Sequence, residues 1–146
     1  MQSYCYLSLL AMCVFLPGSL LFADELPFEG VYSGSYVVVA TKQEQVAFLE
    51  VGPEVEKRDR QAVLTIVTSG GKKESVELRI LCFDDKFEVW STAGSDNITQ
   101  VSGALKTQFD KDACILSARG RLTLVDRRSG KSIGVFFSLS KFGLVP

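Results

Sequence analysis

The chain has 146 residues, 47% of them hydrophobic, with 16 Lys+Arg against 17 Asp+Glu and a formal charge of −1. That length suits one domain with a real core, and the near-neutral balance argues against a nucleic-acid binder or a polybasic membrane-surface protein. Histidine is absent, which removes the commonest general base and transition-metal ligand and disfavours most hydrolase triads and zinc sites.

Residues 1–23, MQSYCYLSLLAMCVFLPGSLLFA, carry no charge, and Pro17-Gly18 interrupts their apolar run before it reaches membrane-spanning length. The stretch reads as a secretory signal cleaved after Ala23, with an uncleaved membrane anchor as the alternative. Leu10-Ala11-Met12-Cys13 faintly resembles a lipoprotein cleavage box, but Met12 is large for the position before a lipidated cysteine. The expected product is a single domain, 24–146, secreted or periplasmic, with no membrane attachment after cleavage. Cys5 and Cys13 fall within the signal, leaving Cys82 and Cys114, and an even pair in an exported domain favours a disulfide.

Beyond a short acidic lead-in, 24–27, the run FEGVYSGSYVVVA (28–40) places Phe28, Gly30, Tyr32, Gly34, Tyr36, Val38 and Ala40 on one face of a strand, because side chains alternate with period two. Aromatics alternating with glycine suggest a strongly curved strand over 28–41. Gln45–Val51 is a second apolar run of undetermined facing, which Gly52-Pro53 is expected to end, since proline does not extend a central strand. The charged stretch Pro53–Arg60 reads as a solvated loop or hairpin tip, with a partner-binding helical turn as the alternative.

Ala62–Ser69 is rich in β-branched residues and leads into a Gly70-Gly71-Lys72 turn. Ser75–Phe83 alternates cleanly, with Val76, Leu78, Ile80 and Cys82 on one side and Ser75, Glu77 and Arg79 on the other. A fifth strand, Lys86–Ser91, turns Phe87 and Val89 inward and Trp90 outward. The sixth, Ile98–Phe109, groups Thr99, Val101, Gly103, Leu105, Thr107 and Phe109. The seventh, Cys114–Asp126, groups Cys114, Leu116, Ala118, Gly120, Leu122 and Leu124, and the last lines up Ile133, Val135, Phe137 and Leu139. Gly, Asp, Asn and Ser fill the turns.

Eight short, regularly spaced runs without a helical period indicate an all-β, antiparallel meander, and closing it into a barrel hides its edges. Cys82 and Cys114 fall on the inward register of their runs, so a bridge between them is expected; it would contribute about 3 kcal/mol.

An eight-stranded barrel is wide enough to be filled by side chains or to hold one small ligand. The small residues Gly30, Gly34, Gly103, Ala118 and Gly120 suggest space. Tyr32, Tyr36, Phe87, Leu105 and Phe137 are then the candidate lining of a pocket for a small hydrophobic molecule. In the alternative reading the aromatics fill the interior and the glycines only permit curvature.

No enzyme signature emerges. Ser33, Ser35 and Ser91 have no histidine to activate them, and there is no G-x-S-x-G elbow or phosphate loop. A carboxylate pair is conceivable from Glu50, Glu77 or Glu88, but nothing in the sequence places two of them in one cleft. Asp84-Asp85 and Asp110-Lys111-Asp112 read as turns rather than calcium loops, and no metal or cofactor is expected. Arg119, Arg121, Arg127, Arg128 and Lys131 gather near the last hairpin, as an anion or acidic-partner site or as a solvated hairpin end. Asn97-Ile98-Thr99 matches the N-glycosylation acceptor pattern.

Gly30-Val31-Tyr32 at the start of the first strand resembles the Gly-x-Trp opening of the calycin barrels, the group that includes lipocalins, avidins and a bacterial periplasmic metalloprotease-inhibitor family. That resemblance implies an eight-stranded meander that binds ligands or proteases. It also implies a late-strand arginine packed on the opening aromatic, for which Arg119 and Arg121 are the candidates by place in the chain. The expected function is a noncatalytic, exported binding module for a small hydrophobic ligand. The alternative is a module that binds an extracytoplasmic protein, such as a protease inhibitor or envelope assembly factor, through loops such as Pro53–Arg60.

Overall fold

The computed structural model describes residues 28–142; the expected signal, 1–23, and the lead-in, 24–27, lie outside them. Eight antiparallel strands form a closed barrel in chain order: β1 (Gly30–Val38), β2 (Glu44–Glu56), β3 (Asp59–Val67), β4 (Lys73–Cys82), β5 (Lys86–Ala93), β6 (Ile98–Asp110), β7 (Ile115–Asp126) and β8 (Ser132–Phe142). The seam joins β1 to β8 from Ser33↔Ser140 to Val38↔Val135. Closure leaves no free edge, which disposes of the pairing hazard an open meander would carry.

Alternation supplies the core. Tyr32 and Tyr36 of β1, Ala47, Leu49 and Val51 of β2, Leu64 and Ile66 of β3, Val76, Leu78 and Ile80 of β4, and their counterparts on β5–β8 are buried in one cluster. The intervening residues face water. Trp90 stands on the outer wall, 38% exposed.

The inward glycines are positions of close backbone approach. A Cβ on Gly34 would collide with the carbonyl oxygen of Ser138 on β8, and one on Gly120 would come within 2.6 Å of Ala104 O on β6. Gly103, at φ 143°, would bring a Cβ to 2.9 Å from Arg121 O, in a conformation that side chains with a Cβ avoid. These glycines let strands bend sharply around the barrel wall. The space expected beside them is occupied by neighbouring main chain.

The strand limits differ from the sequence reading where bulges intervene. Pro53 does not end β2: the ladder pairs Val51 with Ala62 and resumes at Glu54↔Arg60, so the irregularity leaves Gly52 and Pro53 outside the pairing. A missing N–H costs little there. Pro53–Arg60 is accordingly the end of the β2–β3 hairpin, turning at Arg58 with φ 66°, and neither an irregular loop nor a helix. In β6 a shift between Ile98 and Gln100 buries Ile98 and leaves Thr99 exposed, reversing the expected facing.

The expected Cys82–Cys114 bridge is not formed: Cys82 is a buried free cysteine. The periodicity argument fails at Cys114, which precedes β7 in the Asp110–Cys114 turn with φ 54° and is not part of the central cluster. Cys82 ends β4, and β5 and β6 separate it from β7 around the ring. Inward register on two strands therefore does not bring their sulfurs together.

Candidate functional site

The expected lining residues Tyr32, Tyr36, Phe87, Leu105 and Phe137 are all buried and point into the barrel. They pack on one another and on the rest of the core. Phe87 makes edge-on contacts with Phe28 and Tyr32, with ring centroids 5.4 and 5.8 Å apart, while Tyr36 lies 5.7 Å from Phe137. The Tyr32 hydroxyl donates to Phe28 O at 2.8 Å and that of Tyr36 donates to Val67 O at 2.9 Å. Both phenols are thus satisfied by main chain, and burial pushes both upward in pKa. The interior is dominated by side-chain packing.

At the end of the barrel where β1 begins, Lys141 of β8 reaches across the seam. Its ammonium lies 5.7 Å from the centre of the Tyr32 ring and donates to Glu29 O at 2.7 Å. Burial lowers its pKa. Gly30 makes room for it, since a Cβ there would stand 3.2 Å from Lys141 Nζ. Arg119 and Arg121, the expected partners of this ring, lie exposed on the outer wall, and the Arg121 guanidinium covers Gly134. The signal for Lys141 was present, because the register of Val135, Phe137 and Leu139 continues to it.

Other predicted positions take structural roles. Ser91 Oγ accepts the Val101 N–H at 2.9 Å, bridging β5 and β6. The Asp110 carboxylate accepts the N–H groups of Asp112 and Ala113, which explains Asp110-Lys111-Asp112 as a turn. Arg127 Nε donates to Ser95 O at 3.0 Å; Arg119 and Arg121 face the flank of the barrel, so the basic residues do not converge on one anion site. Asn97 is exposed, and its main-chain N–H donates to the Glu74 carboxylate at 2.9 Å.

A groove of about 440 Å³ opens on the outer wall across β2–β5. Glu50, Val63 and Glu77 line it, and ladder pairing sets these three side by side on successive strands. Gly52, Gln61, Arg79 and Thr92 complete its walls. Register shifts beside Val51 on β2 and between Glu77 and Leu78 on β4 bend the sheet here, as bulges do. Arg79 Nε donates to Asp59 Oδ1 at 3.0 Å, with a second bond from its fork to Oδ2. That bidentate bond holds the Asp59 carboxyl below its ordinary range. Arg79 is thereby committed to Asp59, and among the described residues neither Glu50 nor Glu77 has an ion-pair partner.

The sequence reading found no two carboxylates in one cleft, yet Glu50 and Glu77 share this groove. Both stand in solvent, without the enclosure that adapts a carboxyl to general-acid work. The groove was missed because it depends on bulges and on the facing of β2, which the apolar run alone left open.

No protein-family model matches the sequence, and no curated protein matches it. Among solved structures, the chain is similar to a redesigned β-barrel at 14% identity and a TM-score of 0.53, covering 77% of this chain and 90% of that one. That similarity concerns the fold alone.

Proposed function

We propose that the protein is a noncatalytic, exported binding module that acts through the outside of its barrel on an extracytoplasmic protein. The observation that carries this reading is the contrast between the two faces of the sheet. Inside, Tyr32, Phe87 and Phe137 are fully buried and in ring contact with neighbouring aromatics. Outside, a groove holds beside Val63 two carboxylates that have no ion-pair partner among the described residues, and Trp90 stands exposed on β5 opposite Arg79 of its wall. A packed interior gives a small hydrophobic ligand little to enter, whereas a concave wall with an aromatic at its side has the elements of a protein contact.

The kinship with calycin barrels belongs to the same proposal. It is supported by the Gly30-Val31-Tyr32 opening together with the Lys141 ammonium on the Tyr32 ring, a late-strand cation on the opening aromatic, although it is a lysine and not the arginine the resemblance implies.

A photoreactive residue placed at Val63 tests the docking reading in an extracytoplasmic extract, alongside native mass spectrometry of the purified chain. Protein adducts at position 63 and a chain mass without a bound small molecule are expected. A stoichiometric hydrophobic molecule in the purified protein, with no adduct at position 63, would overturn it.

A further inference from the structure

Resting on that docking reading, we propose that the β2–β5 groove takes an extended, basic segment of a partner protein, with cationic side chains on either side of an apolar one. Glu50, Val63 and Glu77 present the complementary order: carboxylate, aliphatic, carboxylate. Neighbouring strands lie about 4.8 Å apart, which sets the backbones of the two glutamates roughly 10 Å from one another. Same-face residues of an extended chain repeat about every 6.7 Å, so positions i and i+4 stand roughly 13 Å apart. Flexible lysine stems absorb the difference. An arrangement Lys-x-Val-x-Lys therefore sets its middle side chain on Val63 and an ammonium by each carboxylate.

The groove keeps its acidic character because its own cation is withdrawn. Arg79 and Glu77 are two residues apart on one face of β4, but the Arg79 fork is occupied by Asp59. Glu50 and Glu77 are left for a partner. Charges this exposed contribute more to partner choice and encounter rate than to affinity, and salt weakens them. Weak, salt-sensitive binding is the expected signature.

A fluorescein-labelled Lys-Thr-Val-Thr-Lys peptide, read by polarisation against the full chain, tests this directly. Saturable binding is expected, reduced at least tenfold by Glu50→Gln/Glu77→Gln and also by raising salt from about 0.05 M to about 0.5 M; a Glu-Thr-Val-Thr-Glu peptide stays unbound. Unchanged thermal unfolding of the double variant shows that the fold is intact. No saturable binding, or equal binding to the double variant, overturns the inference. If a photoreactive residue at Val63 still captures a protein while the basic peptide is ignored, docking stands and the proposed partner chemistry falls; if neither occurs, both fall. Cross-linked dimers of this chain would assign the groove to a second copy and overturn it as well.

Discussion

Lys141 and Tyr32 meet across the closing seam, with the ammonium 5.7 Å from the ring centre and its proton directed to Glu29 O. The contact joins the end of the last strand to the start of the first, beyond the final ladder pair Ser33↔Ser140. Cation–π attraction and a charge-assisted bond to main chain together contribute on the order of 1–2 kcal/mol. Lys141→Ala is expected to lower the thermal midpoint by several degrees, and Lys141→Arg to recover much of the loss. A differential scanning measurement in which Lys141→Ala melts with the parent protein would contradict this role.

Gly34 and Gly120 sit where neighbouring main chain occupies the place of a Cβ. Backbone on a hydrogen-bonded strand gives way poorly, so Gly34→Ala and Gly120→Ala are each expected to cost roughly 2 kcal/mol or more, as overpacking does. Gly70→Ala, with nothing within 4 Å of the added carbon, is the control and leaves chemical denaturation nearly unchanged. Equal midpoints for all three proteins would remove the close-approach explanation of barrel curvature.

Burial pushes the Cys82 thiol from an ordinary 9.0 up to about 12, against the opposing pull of Arg60. Native protein at pH 8 is therefore expected to resist a disulfide-exchange reagent at this cysteine until denaturant is added. The linkage has a definite sign. Below pH 9 the thiol is protonated folded and unfolded, so its contribution is complete; between pH 9 and 12 the unfolded state loses the proton first and stability falls. Wild type should lose stability relative to Cys82→Ala across that window, and parallel curves would contradict the burial.

Tyr36→Phe isolates one hydrogen bond, from the phenol to Val67 O at 2.9 Å. Its removal leaves the ring on Phe137 but orphans an acceptor, for an expected loss of about 1 kcal/mol. Urea denaturation checks the value; a stabilised variant would show the bond to be dispensable.

The fold was legible because six of its strand patterns follow from where apolar side chains recur: Val76, Leu78 and Ile80 on β4, or Val135, Phe137 and Leu139 on β8, are buried as alternation requires. β2 and β3 read as strands without an assigned facing. Period two does not report bulges, so the continuation through Pro53, the burial of Ile98 in place of Thr99 and the groove beside Glu50 and Glu77 were hidden. Cys114 shows the same limit, since a residue one position before a strand inherits the strand's periodicity without its geometry. The glycines were ambiguous for a different reason: sequence does not distinguish a space left for a ligand from one taken by the adjoining strand.

Methyl-resolved NMR compares both faces of the sheet in one titration. Adding a medium-chain fatty acid should leave the Leu105, Leu122 and Leu139 methyls in place, while adding the basic peptide should shift the Val63 methyls and spare those three. Saturable fatty-acid shifts at Leu105, Leu122 and Leu139 with a stationary Val63 would contradict the filled interior and the outward-acting wall together.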